Sequence, residues 1–224
     1  MSLPEPSVIP YPALCLVTDR GYGQETLLAA KVAAAVDGGV NMVQLREKDL
    51  PAGDLLKLAI SLREITRGKA LFLVNDRVDV ALASGADGVQ LGEEGLPVSA
   101  ARVVAGKRLI VGRSVHSLRG AQEAEASGAD FLLVGTIFPT GSKPGALPAG
   151  LGLLAQIAQS VSVPFLAIGG VTSSNVAQVM AQGAAGAAVI SAILARTDTC
   201  EAAQELTGAM GLASIRSQRA VPAR

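Results

Sequence analysis

The sequence predicts a single (β/α)8 TIM barrel, in which eight parallel strands close around a packed interior. Three observations predict it. Short apolar runs recur eight times, amphipathic segments separate them, and glycine marks the joint between a helix and the next strand in four of the units.

Taken in order, the strands are expected over residues 13–18, 42–46, 71–75, 88–91, 109–114, 131–135, 164–169 and 187–191. Each run is apolar throughout rather than alternating, as a strand must be when helices cover one face and a filled interior the other. Gly39-Val40-Asn41, Gly85-Ala86-Asp87, Gly128-Ala129-Asp130 and Gly183-Ala184-Ala185 each supply a residue that can leave a helix in the left-handed conformation. Helical spacing is clearest over residues 55–66, 117–127 and 175–182, each introduced by a polar residue able to cap it. A last helix is expected over 200–210, before basic polar residues that should fray. The barrel would occupy residues 13–194 and the last helix and tail residues 195–224, all in one domain. A doubly wound open sheet is the competing arrangement. Eight evenly spread units ending in Gly169-Gly170 and then Ile190-Ser191 favour closure.

Composition narrows the function. Half of the 224 residues are apolar, enough to bury a sizeable core, and with 3% aromatics that core is made of Ala, Val, Leu and Ile. Lys plus Arg equals Asp plus Glu at 19 each, and no basic stretch stands out, so neither nucleic acid nor a membrane surface is the expected partner. Small molecules are. Cys15 and Cys200 form neither a metal-ligand spacing nor a disulfide framework, and are expected as reduced thiols in the cytoplasm. No basic flank followed by an apolar run opens the sequence, so no secretory signal is expected, and no apolar stretch reaches the roughly 18 residues needed to cross a bilayer. Homo-oligomerisation is left open.

In a barrel of this kind, polar residues at the C-terminal ends of strands face the active-site mouth. The second strand runs into Gln44-Leu45-Arg46-Glu47-Lys48, whose alternation sends Gln44, Arg46 and Lys48 to one side. Two cations and an amide there suit a pyrophosphate, although a solvated charge cluster is the plainer alternative. Asn75-Asp76 ends the third strand, where a carboxylate could hold Mg²⁺ through oxygen ligands or simply cap the next helix. Glu94, beyond the fourth strand, could be a second metal contact or part of a solvated turn. The fifth strand leads into Ser114 and the chain's one histidine, His116. After the sixth comes a long loop with Thr140, Ser142 and Lys143, able to fold over the site or merely to move. Gly169, Gly170, Ile190 and Ser191 place bare amides at the ends of the last two strands, where barrels bind phosphate; close packing alone is the alternative for the glycine pair.

Together, Val43-Gln44-Leu45-Arg46-Glu47-Lys48, Val74-Asn75-Asp76, Gly112-Arg113-Ser114-Val115-His116-Ser117 and Ile168-Gly169-Gly170 make the chain resemble the thiamine phosphate synthase family, which includes thiazole tautomerases. The resemblance spans about residues 14–194. It implies that Gln44, Arg46, Lys48 and Asn75 bind the pyrophosphate of hydroxymethylpyrimidine pyrophosphate and that Asp76 ligates Mg²⁺. It further implies thiazole phosphate on the amides of Gly170, Ile190 and Ser191, with Thr140, Ser142 and Lys143 closing over both substrates and Ser114 nearby. The expected activity is thiamine phosphate synthesis with release of pyrophosphate. Two departures stand out: Gln90 and Gly95 occupy positions where synthases usually carry His and a second metal-binding Asp. Arg113 and the wording around His116 look more like the tautomerase branch, in which that histidine shuttles a proton and no metal is needed. A tautomerase, or a non-catalytic barrel that binds thiazole phosphate and regulates a partner, are therefore the alternatives. Glu94 could replace the missing ligand.

Overall fold

The computed structural model describes residues 9–22, 25–141, 145 and 147–219. Eight strands, β1 (Ala13–Val17), β2 (Met42–Leu45), β3 (Leu71–Asn75), β4 (Gly88–Leu91), β5 (Ile110–Val115), β6 (Phe131–Gly135), β7 (Phe165–Ile168) and β8 (Gly186–Val189), pair in parallel and in chain order, with β8 closing on β1. Between them run α1 (Glu25–Asp37), α2 (Ala52–Thr66), α3 (Val78–Ser84), α4 (Val98–Ala105), α5 (Leu118–Ala126), α6 (Gly150–Ala158) and α7 (Val176–Ala181), followed by the short α8 (Ser191–Leu194) and by α9 (Thr199–Arg219). The closed parallel barrel expected from the apolar runs is the fold. Among the described residues, no helix is long and apolar enough to cross a membrane.

Strand pleating divides the apolar residues into two layers. Cys15, Val17, Met42, Leu73, Phe131, Leu133 and Leu166 fill the barrel, while Leu14, Leu16, Val43, Val74, Val89 and Leu132 face the helices. Complete burial pushes the Cys15 thiol up to about 12, leaving it protonated and inert in the interior. The last helix packs against α1 and α7. It continues past Met210 to Arg219, farther than expected, because no Pro or Gly interrupts residues 212–219.

All four glycines at the helix-to-strand joints have the anticipated positive φ. Side-chain capping was expected at three helix starts and occurs at one: Ser117 accepts from Gly120 N, whereas the residue before α2 is Pro51, which has no side-chain acceptor, and Asn175 is used elsewhere.

The Asx residue two places after three of those glycines has its own task. Asn41 Oδ1 accepts from Leu14 N at 2.9 Å, Asp87 from Phe72 N at 2.7 Å and Asp130 from Val111 N at 2.7 Å. Each side chain thus ties the N-terminal end of its strand to the strand before it. Arg63 of α2 forks onto Asp87 at 2.8 and 3.0 Å, and Arg102 of α4 reaches Asp130 at 2.5 Å. In the fourth copy Ala185 keeps only backbone bonds. Replacing Asp87 with Ala strands both the Arg63 charge and the Phe72 amide. Because the pair is about one-fifth exposed, the expected loss is about 2–3 kcal/mol, below that of a fully buried pair. A fall in urea midpoint at unchanged slope is the expected reading, and an unchanged midpoint would refute the tie.

Candidate active site at the C-terminal mouth

One cavity of about 1120 Å³ opens at the C-terminal ends of the strands. Gln44, Arg46 and Lys48 all line it, as the alternation of β2 requires, together with Asn75, Asp76, Glu94, Ser114, His116, Thr140, Gly169, Gly170, Ile190 and Ser191. Every described residue proposed from the sequence as a catalytic, substrate-binding or metal-binding candidate is therefore in one chamber. Ser142 and Lys143 lie outside the described residues.

Two cations of the β2–β3 arc are left unclaimed by any described residue. Neither the Arg46 guanidinium nor the Lys48 ammonium has a partner among the described residues. The intervening Glu47 is buried and bound through Oε2 by the Arg20 amide and Nε, both at 3.2 Å, while Arg20 Nη2 holds Asp49 at 2.6 Å. That bond keeps the Asp49 carboxyl below its usual range. One cation thus occupies two acids that would otherwise compete for Arg46 and Lys48.

A directed hydrogen-bond chain runs across the floor. Asp76 can only accept, so Asn75 turns Nδ2 to Asp76 Oδ2 at 2.7 Å and offers Oδ1 to Gln44 Nε2 at 2.8 Å. Gln44 is left with Oε1 buried and without a partner. The other Asp76 oxygen accepts from Gly92 N at 2.6 Å. Asp76 has φ 59 and does not cap α3; that position belongs to Arg77, so the capping alternative fails.

On the β7–β8 arc, Gly169 and Gly170 have φ 98 and 65. A Cβ on Gly169 would overlap Thr136, and one on Gly170 the Pro139 carbonyl oxygen. These glycines are thus required by the close approach of the β6–α6 loop, a steric reason that stands with or without a phosphate. Asn175 Nδ2 holds the Gly170 carbonyl at 2.9 Å, and Ser191, opening α8, has an amide with no intrahelical acceptor.

His116 sits at the rim with Nδ1 against the Gly135 carbonyl oxygen and Nε2 3.3 Å from Glu93 Oε2. Carbonyl oxygen only accepts, so Nδ1 carries the proton. Arg20 and the site role of Asn175 escaped sequence reading because they depend on partners from other segments. Among the described residues no group of three or more His, Cys, Asp or Glu could hold a metal. Asp76 alone, with each oxygen accepting one bond and retaining a lone pair, fits a cation of the kind that takes few protein ligands and shares substrate phosphates.

The family model described as thiamine monophosphate synthase matches residues 14–193. The chain belongs to the thiamine monophosphate synthase family. Within it, the chain is 48% identical over 197 residues to thiamine-phosphate synthase of Methanoculleus marisnigri, covering 86% of this chain and 92% of that one. It is 44% identical over 194 residues to thiamine-phosphate synthase of Pyrococcus furiosus, with coverage of 86% and 92%. The solved structure of the Pyrococcus furiosus thiamine phosphate pyrophosphorylase superposes with a TM-score of 0.84 at 42% identity, covering 90% of this chain and 96% of that one. A 3-hexulose-6-phosphate synthase structure, 24% identical with a TM-score of 0.69, shares the fold alone. As a member of the thiamine monophosphate synthase family, the chain carries Gln90 buried behind Ser114, with Nε2 3.1 Å from its Oγ, and Gly95 facing Asp76.

Proposed function

We propose that the protein is a thiamine phosphate synthase, joining hydroxymethylpyrimidine pyrophosphate to thiazole phosphate with release of pyrophosphate. The observation that carries this reading is one cavity with cationic side chains on one arc of its rim and bare backbone amides on another. Arg46 and Lys48, unpartnered among the described residues, mark the β2–β3 arc, and the Gly170 and Ser191 amides mark the β7–β8 arc.

In the proposed reaction, the bond between the pyrimidine methylene carbon and the pyrophosphate oxygen breaks, its electron pair leaving with pyrophosphate. The thiazole nitrogen lone pair then forms the new C–N bond. Arg46 and Lys48 meet charge that grows on the departing oxygen, and the cavity holds the two substrates in register, so positioning and electrostatics supply the catalysis. Asp76 would hold Mg²⁺, with Glu94 as the candidate second carboxylate, and the bound ion would neutralise pyrophosphate. Asn75 orients Asp76. The free atom of Gln44 is an acceptor, so its partner in this reading is the pyrimidine's amino group rather than a phosphate oxygen. Ser142 and Lys143 retain the closing role that the family resemblance gives them.

Incubating the purified protein with both substrates and Mg²⁺ should yield equimolar thiamine phosphate and pyrophosphate. No product there, with turnover of thiazole carboxylate phosphate instead, would overturn the reading in favour of the tautomerase. His116 supplies a second discriminator. Its Nδ1 is turned to the Gly135 carbonyl of the neighbouring strand, an arrangement suited to holding the rim rather than shuttling a substrate proton. His116→Ala is expected to slow thiamine phosphate formation less than about tenfold, whereas loss of a general acid–base would cost about a hundredfold or more.

A further inference from the structure

The guanidinium of Arg113 is turned away from the cavity and spends its donors on one loop. Nη1 donates to the Gly92 carbonyl at 2.8 Å and the Leu96 carbonyl at 3.0 Å, and Nη2 to the Glu93 carbonyl at 2.9 Å. Arg113 lies on β5 and does not line the chamber; the loop it grips, between β4 and α4, does, through Gly92, Glu93, Glu94 and Gly95. The same loop meets Asp76 twice. The Gly92 amide donates to Asp76 Oδ1, and Gly95, folded back so that its amide reaches the Gly92 carbonyl at 3.0 Å, lies where a Cβ would overlap that same Oδ1. Arg113 therefore grips from outside the loop whose inner side sets the direction of the Asp76 carboxylate.

We infer that Arg113 is a positioning residue for the pyrophosphate half of the site: by clamping three carbonyls of the Gly92–Leu96 loop, it seats the Gly92 amide and the bare Cα of Gly95 against Asp76. The lone pairs of Asp76 that remain would thereby be held ready for the cation that accompanies pyrophosphate. This rests on the synthase reading. Only an arginine fits the place, because a planar fork serves three acceptors at once, whereas a lysine ammonium on a flexible stem cannot hold that geometry. In this chain the glycine at 95 leaves the Asp76 carboxylate its place, since a Cβ there would meet Oδ1 and turn that side chain.

Calorimetric titration of the full-length protein separates this role from simple support of the fold, with Mg²⁺ plus pyrophosphate as one probe and thiazole phosphate as the other. Arg113→Met should weaken Mg²⁺-dependent pyrophosphate binding at least about tenfold while thiazole phosphate binding stays within about twofold, the size of effect expected when a residue that orients a metal-binding group is lost. Arg113→Lys should recover only part of the difference. Gly95→Ala, which disturbs the carboxylate without touching the clamp, should reproduce the same one-sided loss, and it carries the test should Arg113→Met fail to fold. Equal loss of both ligands, or pyrophosphate binding at wild-type strength in Arg113→Met or Gly95→Ala, would overturn the inference. A wild type that binds no pyrophosphate with Mg²⁺ and forms no thiamine phosphate would overturn the synthase reading itself.

Discussion

Arg46→Ala should lower thiamine phosphate formation at least about thirtyfold, equivalent to about 2 kcal/mol of transition-state stabilisation. Arg46 lines the chamber, half-buried, with its guanidinium unclaimed by any described residue, while Arg20 occupies the neighbouring Glu47. A cation kept free in this way has its full charge available for a leaving group whose own charge increases as the bond breaks. Since that contact strengthens during the reaction, kcat and kcat/KM should fall together rather than KM rising alone. Steady-state rates with both substrates and saturating Mg²⁺ provide the check. A variant within about threefold of wild type in kcat would remove Arg46 from the leaving-group site.

A different kind of loss is expected at the seam where the barrel closes. Gly186 in β8 faces Ala13 in β1 so closely that a Cβ would overlap the Ala13 carbonyl, and nothing nearby is the movable end of a side chain. Gly186→Ala must push two paired backbones apart, and about 3 kcal/mol or more of stability should go with it, the upper range for overpacking. For a domain of this size the melting temperature should drop by roughly 6–12 °C. Gly53→Ala in α2, with open space around it, is the control and should be neutral or slightly stabilising. Equal melting points for the two variants would mean that the seam is looser than its geometry indicates.

The sequence made the strands legible because burial on both faces writes each one as an unbroken apolar run, and the observed ends fall within a residue or two of those expected. Gly186 fell outside the last expected strand because a glycine beside two alanines reads as a loop, although close strand contact is what requires it there. Candidate site residues were legible to the extent that barrel geometry sends strand ends into the mouth, which brought Arg46, Asp76, His116 and Ser191 together from separate segments. What a side chain does with its partner was not. Arg113 read as a branch marker because its three acceptors are backbone carbonyls, which have no residue identity to recognise. Asp87 and Asp130 read as filler after a helix-ending glycine because the amides they hold lie 15 and 19 residues earlier in the chain.

The ties made by Asn41, Asp87 and Asp130 change what counts as the repeating module. Each lies within a pair of strands: β1 with β2, β3 with β4, β5 with β6. The strand glycines whose added Cβ would strike a carbonyl across the ladder, Gly88 against Ile110, Gly135 against Ile168 and Gly186 against Ala13, all lie between such pairs. Three of the four (βα)2 quarters are thus locked by a polar tie at the base, and three of the four joints between quarters, all but that of β2 with β3, set a glycine against a facing carbonyl. The last quarter has alanine where the tie should be, and it is the one whose loops carry Gly170 and Ser191.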